Sequence, residues 1–295
     1  MLKIEDLAEL LQNYRPAAAA QVAEFEIGGK PFCFNSAPAL MGVINLSPDS
    51  WYRESVCLTV DQAVQRGQIL AAQGADIIDL GAESSLAHAA VVNPEAQQTK
   101  LLPIVKQLRQ QKILVSVETY HPHVARACLE AGANILNLTG SENTAEIYKL
   151  AADHDAAVII CFVQGPNVRQ VSDLNLEGDF TAVLEDYFSR QLDLAHQAGA
   201  RKLFLDPGLG FYYRNLQDSA TRVRHQMCAF LNTFRLRKLG FPICHALPHA
   251  FEYFGEEVRC AEPFFAVLAA LGKTDLFRTH EIPRTRAVLR TMQIY

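Results

Sequence analysis

The chain has 295 residues, 49% hydrophobic and 20% charged, with a formal net charge of -5 at pH 7 and a sequence pI of about 6.0. That length supports one large core or two small ones, and the mild acidity excludes a global pull toward nucleic acid or anionic membrane, so any anion site has to be local. Seven dispersed cysteines with no Cys-x-x-Cys pair read as reduced, buried thiols. No secretory signal or bilayer-spanning run is visible, so a cytoplasmic location is expected.

Residues 1–36 stand apart from the rest of the chain. Ile4, Leu7, Leu10 and Leu11 have helical spacing up to Tyr14, and Ala23–Ile27, the turn Gly28-Gly29 and Phe32-Cys33-Phe34 suggest a short hairpin. We read this N-terminal extension as an appendage on the surface, in preference to a lid on the bottom of the main fold.

From residue 37 to residue 295 strand and helix signals alternate. The strands are predicted at Leu40–Asn45, Asp76–Gly81, Ile113–Glu118, Asn134–Leu138, Ala156–Phe162, Lys202–Asp206, Phe241–Ala246 and Asp275–Arg278. Their apolar runs suit strands buried on both faces. Helices are predicted over Thr59–Gly74, Pro94–Gln110, His121–Gly132, Ala145–His154, Phe180–Gly199, Asn215–Leu239, Pro263–Leu271 and Pro283–Met292. Gly74, Gly132, Gly199, Gly240 and Gly272 each precede a strand, as left-handed glycines after a helix do.

Strand–helix alternation with short connections implies a parallel sheet, and about eight such units predict a TIM (β/α)8 barrel. The competing doubly wound sheet lacks support, since no Gly-x-Gly-x-x-Gly follows a strand.

A barrel gathers the carboxyl ends of its strands around one mouth. Here they carry Asn45, Glu83, Ser84, Glu118, Asn137, Asp206, Arg278 and His280. Each alone is a weak signal, because Asn and Asp often end strands as turn formers or caps. Together they make a polar rim over an apolar barrel, the general form of a ligand site. Glu118, Asn137 and Asp206 suit the edge of a flat, nitrogen-rich heterocycle. Arg278 and His280, two apart on an extended segment, face the same side and with Asn45 suit an anion. The plain alternatives are a rim salt bridge for Arg278 and a helix-terminal role for His280.

Several stretches are similar to the successive signatures of dihydropteroate synthases. They are Met41-Gly42-Val43-Ile44-Asn45-Leu46-Ser47-Pro48-Asp49-Ser50, Gly74–Ser84, Ser116-Val117-Glu118-Thr119-Tyr120, Leu205-Asp206-Pro207-Gly208-Leu209-Gly210-Phe211 and Arg278-Thr279-His280-Glu281. The resemblance implies a cytoplasmic, often dimeric TIM-barrel transferase of folate biosynthesis. Such an enzyme joins a hydroxymethyl-dihydropterin diphosphate to para-aminobenzoate, with Mg²⁺. On that resemblance Glu118, Asn137, Asp206, Phe211 and Arg278 bind the pterin substrate. Asn45, Arg278 and His280 serve the diphosphate side, and Asn45 meets the metal. The run Phe264-Phe265-Ala266-Val267-Leu268 is compatible with either a homodimer face or the core.

The sequence also departs from that pattern. Ser85-Leu86-Ala87 stands where the family has Thr-Arg-Pro, and Pro248-His249-Ala250-Phe251 where it has Ser-Arg-Lys-Ser. Trp51-Tyr52-Arg53 replaces Phe-Ser-Asp. Arg53 or His249 is a candidate replacement for the lost cations. The alternatives are a non-catalytic or repurposed pterin-binding paralogue, which the two lost cations favour, and a pterin-dependent methyltransferase, which the Arg-x-His pair disfavours. A zinc site from His245 and His249 lacks a third ligand at suitable spacing, and His245 reads as a buried polar residue.

Overall fold

The computed structural model describes residues 1–50, 52–84, 89–175, 178–211 and 213–295. An antiparallel hairpin, β1 (Phe25–Ile27) and β2 (Lys30–Phe32), precedes eight parallel strands. These are β3 (Ala39–Asn45), β4 (Ile77–Gly81), β5 (Leu114–Glu118), β6 (Ile135–Leu138), β7 (Ala157–Cys161), β8 (Leu203–Asp206), β9 (Cys244–Ala246) and β10 (Leu276–Thr279). They pair in the order β8-β7-β6-β5-β4-β3-β10-β9. The seam between the outermost two is bridged where Leu205 N–H donates to Pro242 O at 3.0 Å. The sheet therefore closes on itself as the predicted (β/α)8 barrel, with only this seam thinly bonded.

The helices are α1 (Ile4–Asn13), α2 (Arg15–Ala18), α3 (Val60–Gln73), α4 (Pro94–Gln110), α5 (Pro122–Glu130), α6 (Thr144–Asp153), α7 (Phe180–Gln197), α8 (Ser219–Asn232), α9 (Phe251–Phe254), α10 (Ala261–Leu271) and α11 (Ile282–Met292). The predicted helix Asn215–Leu239 is three pieces. Asp218 caps α8 by accepting from Thr221 N–H at 2.7 Å, and the stretch after Asn232 tightens into a 3₁₀ helix. Gly74, Gly132, Gly199 and Gly240 are left-handed as expected, but Gly272 is not, at φ -81°. Lys273 takes the left-handed turn instead at φ 58°. Gly272 is required by contact: a Cβ there would lie 1.8 Å from the Phe230 carbonyl oxygen.

Strand side chains alternate in direction. Leu40, Ile44, Ile78, Leu80, Val115 and Val117 pack outward against the helices. Met41, Ile77, Leu114, Ile135, Ile159, Phe204 and Leu276 fill the interior. The same alternation carries Asp79, Glu118, Asn137, Asp206 and Arg278 into the barrel mouth, two or four residues beyond an interior apolar residue on each strand.

The hairpin is the floor of this interior, not an appendage. Ile27, Phe32 and Phe34 are buried in the same cluster as Met41 and Phe204. Phe25 and Phe34 each meet the Phe204 ring edge-on, with centroids 5.3 Å apart. Ala23 N–H bonds Gly240 O at 2.8 Å, and Arg237, paired with buried Asp275, donates to Asn35 Oδ1 at 2.9 Å. A hairpin of alternating aromatics has no other large apolar surface to cover, whereas an open barrel end does.

All seven cysteines are free thiols. Cys57, Cys128, Cys161 and Cys244 are buried, but Cys33, Cys228 and Cys260 are exposed, against the expectation of uniform burial. Among the described residues, no helix is long and apolar enough to cross a membrane.

Candidate active site

One cavity at the carboxyl ends of the strands is lined by Asn45, Glu118, Asn137, Asp206, Phe211, Arg278 and His280, with Glu83, Ser84, Arg222 and His249 among its further walls. The seven residues assigned to the pterin and diphosphate sides from the sequence thus reach the same space. The cavity has two chemically distinct ends.

At the first end a single cation sits among carboxylates. Arg278 Nε donates to Asp79 Oδ2 at 2.7 Å and Nη2 to Glu118 Oε2 at 2.8 Å. Asn137 Nδ2 also reaches Asp79 Oδ2, at 3.2 Å, and its Oδ1 accepts from the Cys161 thiol at 3.3 Å. Asp206 Oδ1 caps its own turn by accepting the Gly208 N–H at 2.8 Å. Gly208 is left-handed at φ 73°, and a Cβ would lie 2.2 Å from the Phe162 oxygen.

Burial raises the Glu118 carboxyl to about 7, with Arg278 opposing. Burial likewise raises Asp206 to about 6, against the Gly208 N–H and Arg278. Burial works against the charge on Arg278, but Asp79 and Glu118 outweigh it and hold the guanidinium firmly protonated. The Cys161 and Cys244 thiols are pushed well up by burial and by Asp206, so they remain protonated.

At the second end the chemistry is imidazole and amide. Asn45 Nδ2 donates to Ser55 Oγ at 2.6 Å and lies 3.5 Å from His280 Nε2. The other nitrogen of His280, Nδ1, is 2.7 Å from Glu262 Oε1. Tyr52 stacks on the His280 ring at 4.4 Å and bonds Glu281, which also takes Arg259. His249 lies beside them, held neutral by burial and by His280.

Sequence reasoning missed Asp79, Glu262 and Arg222. Asp79 was findable, because it lies two residues beyond Ile77 on a strand whose interior face was readable. Glu262 and Arg222 come from helices α10 and α8, and no strand-end pattern announces them. Arg222 is buried and pairs with Glu252 at 2.7 Å. His245 donates to or accepts from Thr233 Oγ1 at 3.1 Å inside the wall, as a buried polar residue does. Arg53 instead binds the Pro48 carbonyl at 2.8 Å and is not among the described residues lining the cavity. The replaced residues 85–87 and Trp51 lie outside the described residues.

The pterin-binding enzyme family model matches residues 41–247, which run from within β3 to just past β9. The chain belongs to the pterin-binding enzyme family. Among its relatives, a dihydropteroate synthase of Synechocystis sp. is 28% identical over 268 residues, covering 87% of this chain and 89% of that protein. A dihydropteroate synthase of Streptococcus pyogenes serotype M6 is 31% identical over 216 residues, covering 72% and 75%. Among solved structures, the dihydropteroate synthase of Xanthomonas albilineans in complex with 7,8-dihydropteroate superposes with a TM-score of 0.70 at 26% identity, covering 92% and 97%. The relatives are transferases, and this pterin-binding enzyme shares their TIM barrel along nearly its full length. It does so with Ala250 and His249 at the tip beyond β9, where the sequence pattern of the synthases leads one to expect a lysine and an arginine.

Proposed function

We propose that this chain is a dihydropteroate synthase, replacing the diphosphate of a hydroxymethyl-dihydropterin diphosphate by para-aminobenzoate. The observation that carries this reading is that Glu118, Asn137, Asp206 and Arg278 line one end of a single cavity, with buried Asp79 bonded behind Asn137 and Arg278. A pterin offers a guanidine-like edge of N–H donors. Asp206 and Asn137 can accept from it and fix the ring plane, each charge-assisted bond contributing roughly 1.5–3 kcal/mol.

In the reaction the amine of para-aminobenzoate attacks the exocyclic methylene as its bond to the diphosphate oxygen breaks. Positive charge builds on the pterin as that bond lengthens. Three carboxylates against one guanidinium leave the ring site net negative, which favours that charge in a water-poor pocket. Asn45 and His280 at the opposite end serve the departing diphosphate. Mg²⁺ fits this end, because Nδ2 of Asn45 is committed to Ser55 and Oδ1 is left as one hard oxygen ligand. When bound, the ion would neutralise the leaving group. A cytoplasmic location and a homodimer accompany this reading. Phe264, Val267 and Leu271, exposed on the outer face of α10, support the latter.

The test is diphosphate release from pterin diphosphate plus para-aminobenzoate. Release that drops at least tenfold in Asp206→Asn and Arg278→Ala supports the synthase. Tight pterin binding with no release makes the chain a non-catalytic pterin-binding paralogue, the reading that the two lost cations favour. Equal pterin affinity in all three proteins removes the site assignment.

A further inference from the structure

We propose that His249, Glu262 and His280 form a site for a first-row divalent cation, zinc in the first place, at the anion end of the cavity. One ligand atom from each of the three lies within 4.8 Å of the others. They come from the loop after β9, the first turn of α10 and the segment after β10, so no spacing in the sequence foretells them.

The carboxylate is built as a ligand. Glu262 is fully buried, and its Oε2 is saturated by the Thr279 hydroxyl, the His280 N–H at 2.9 Å and the Glu281 N–H at 3.1 Å. Oε1 is the oxygen turned to the imidazoles, 3.4 Å from His249 Nε2 and 2.7 Å from His280 Nδ1. Donors bound to a tetrahedral Zn²⁺ at 2.0–2.1 Å lie about 3.4 Å apart. The His249 edge already has that length. The His280 edge is that of a hydrogen bond, whose proton the cation would replace while the two atoms move apart.

Thr279 and the two backbone amides are the supporting bonds that fix a metal-binding carboxylate. Two imidazoles and one carboxylate suit zinc or another borderline cation over Mg²⁺. Three protein ligands leave a position open. Since His249 and His280 both line the cavity, that position faces it, next to Asn45. A diphosphate oxygen is the ligand it would take, which would bring positive charge to the anion end. The identity of this fourth ligand rests on the proposed reaction; the metal site does not.

The experiment uses the whole chain, stripped with chelator and without any pterin. Titration with Zn²⁺ against a chromophoric chelator should give one site per chain. Co²⁺ should give tetrahedral d–d absorption without the sulfur charge-transfer band that a cysteine ligand adds. His249→Ala and Glu262→Gln should each weaken Zn²⁺ binding at least tenfold, while a remote variant, His196→Ala, should not. Because Glu262→Gln replaces a buried carboxylate that accepts three hydrogen bonds and can fail to fold, His249→Ala is the deciding variant, with circular dichroism confirming its fold. No stoichiometric Zn²⁺ site, or wild-type affinity in His249→Ala, overturns the proposal. Inorganic diphosphate should then tighten Zn²⁺ binding in the wild type. Zinc bound with no such effect overturns the fourth ligand alone. Synthase activity measured with Mg²⁺ and no zinc reports separately on the proposed reaction.

Discussion

Arg278 and Asp79 are joined across the mouth of the barrel, Nε to Oδ2 at 2.7 Å, and Asn137 reaches the same oxygen at 3.2 Å. Asp79 therefore sets the position of the guanidinium and of the amide at once. Its other oxygen, Oδ1, is buried and has no hydrogen-bond partner among the described residues.

Replacing Asp79 by Ala leaves Arg278 with Glu118 alone and frees a buried guanidinium edge. Unfolding free energy should fall by about 3–5 kcal/mol, the range for a broken buried pair. Pterin affinity should fall by about tenfold or more. Denaturant unfolding and pterin titration measure the two separately. Unchanged values for both would mean that Arg278 does not depend on Asp79.

Glu118 meets Arg278 Nη2 at 2.8 Å with a side chain one methylene longer than aspartate. If charge matters more than reach, Glu118→Asp should change pterin affinity less than about fivefold, with a water spanning the gap. Glu118→Gln should lose about tenfold or more, since a charge-assisted bond becomes a neutral one. Calorimetric titration of both variants at pH 8 decides it. Equal losses in the two would contradict this ordering.

The barrel was legible because fully buried parallel strands advertise themselves as apolar runs, such as Leu40–Ile44 and Ile77–Ile78. Asn45, Glu118, Asn137, Asp206 and Arg278 were legible as polar residues interrupting such runs at one end. Asp79 was passed over because Leu80 follows it, so it reads as mid-strand even though its parity matches Ile77. Glu262 was beyond reach in principle. It sits at the start of α10 and finds His249 and His280 only through the closure of β9 on β10, a long-range contact that has no local signature. The hairpin misled for a third reason: Phe25, Phe32 and Phe34 are too few to form a core alone, and only the open barrel end explains their number.

That floor makes its own prediction. Phe34 contacts Phe25 and Phe204 at ring distances of 5.3 Å and is 5% exposed. Phe34→Ala should destabilise the chain by about 3–5 kcal/mol, as for other buried Phe truncations. Pterin affinity of the folded fraction should stay within about twofold, because the floor and the mouth are at opposite ends of the strands. Loss below about 1 kcal/mol would return the hairpin to a surface appendage.

Asp206 connects the site to the pH dependence of stability. Its carboxyl is raised by burial from 3.8 to about 6, so ionising it costs more in the folded chain than in the unfolded one. The stability it contributes is intact below pH 4 and lost as the pH rises through 6. Asp206→Asn removes that loss while an amide oxygen still accepts the Gly208 N–H. Without ligand, the variant should therefore gain on the wild type at pH 8, by at most about 3 kcal/mol. The gain should narrow toward pH 4.5. Pterin affinity at pH 8 should fall at least tenfold in the same variant, since the acceptor charge is gone. Denaturant midpoints at the two pH values test the first point, and a stability difference that does not change with pH would show that Asp206 is not held at a cost in the empty site.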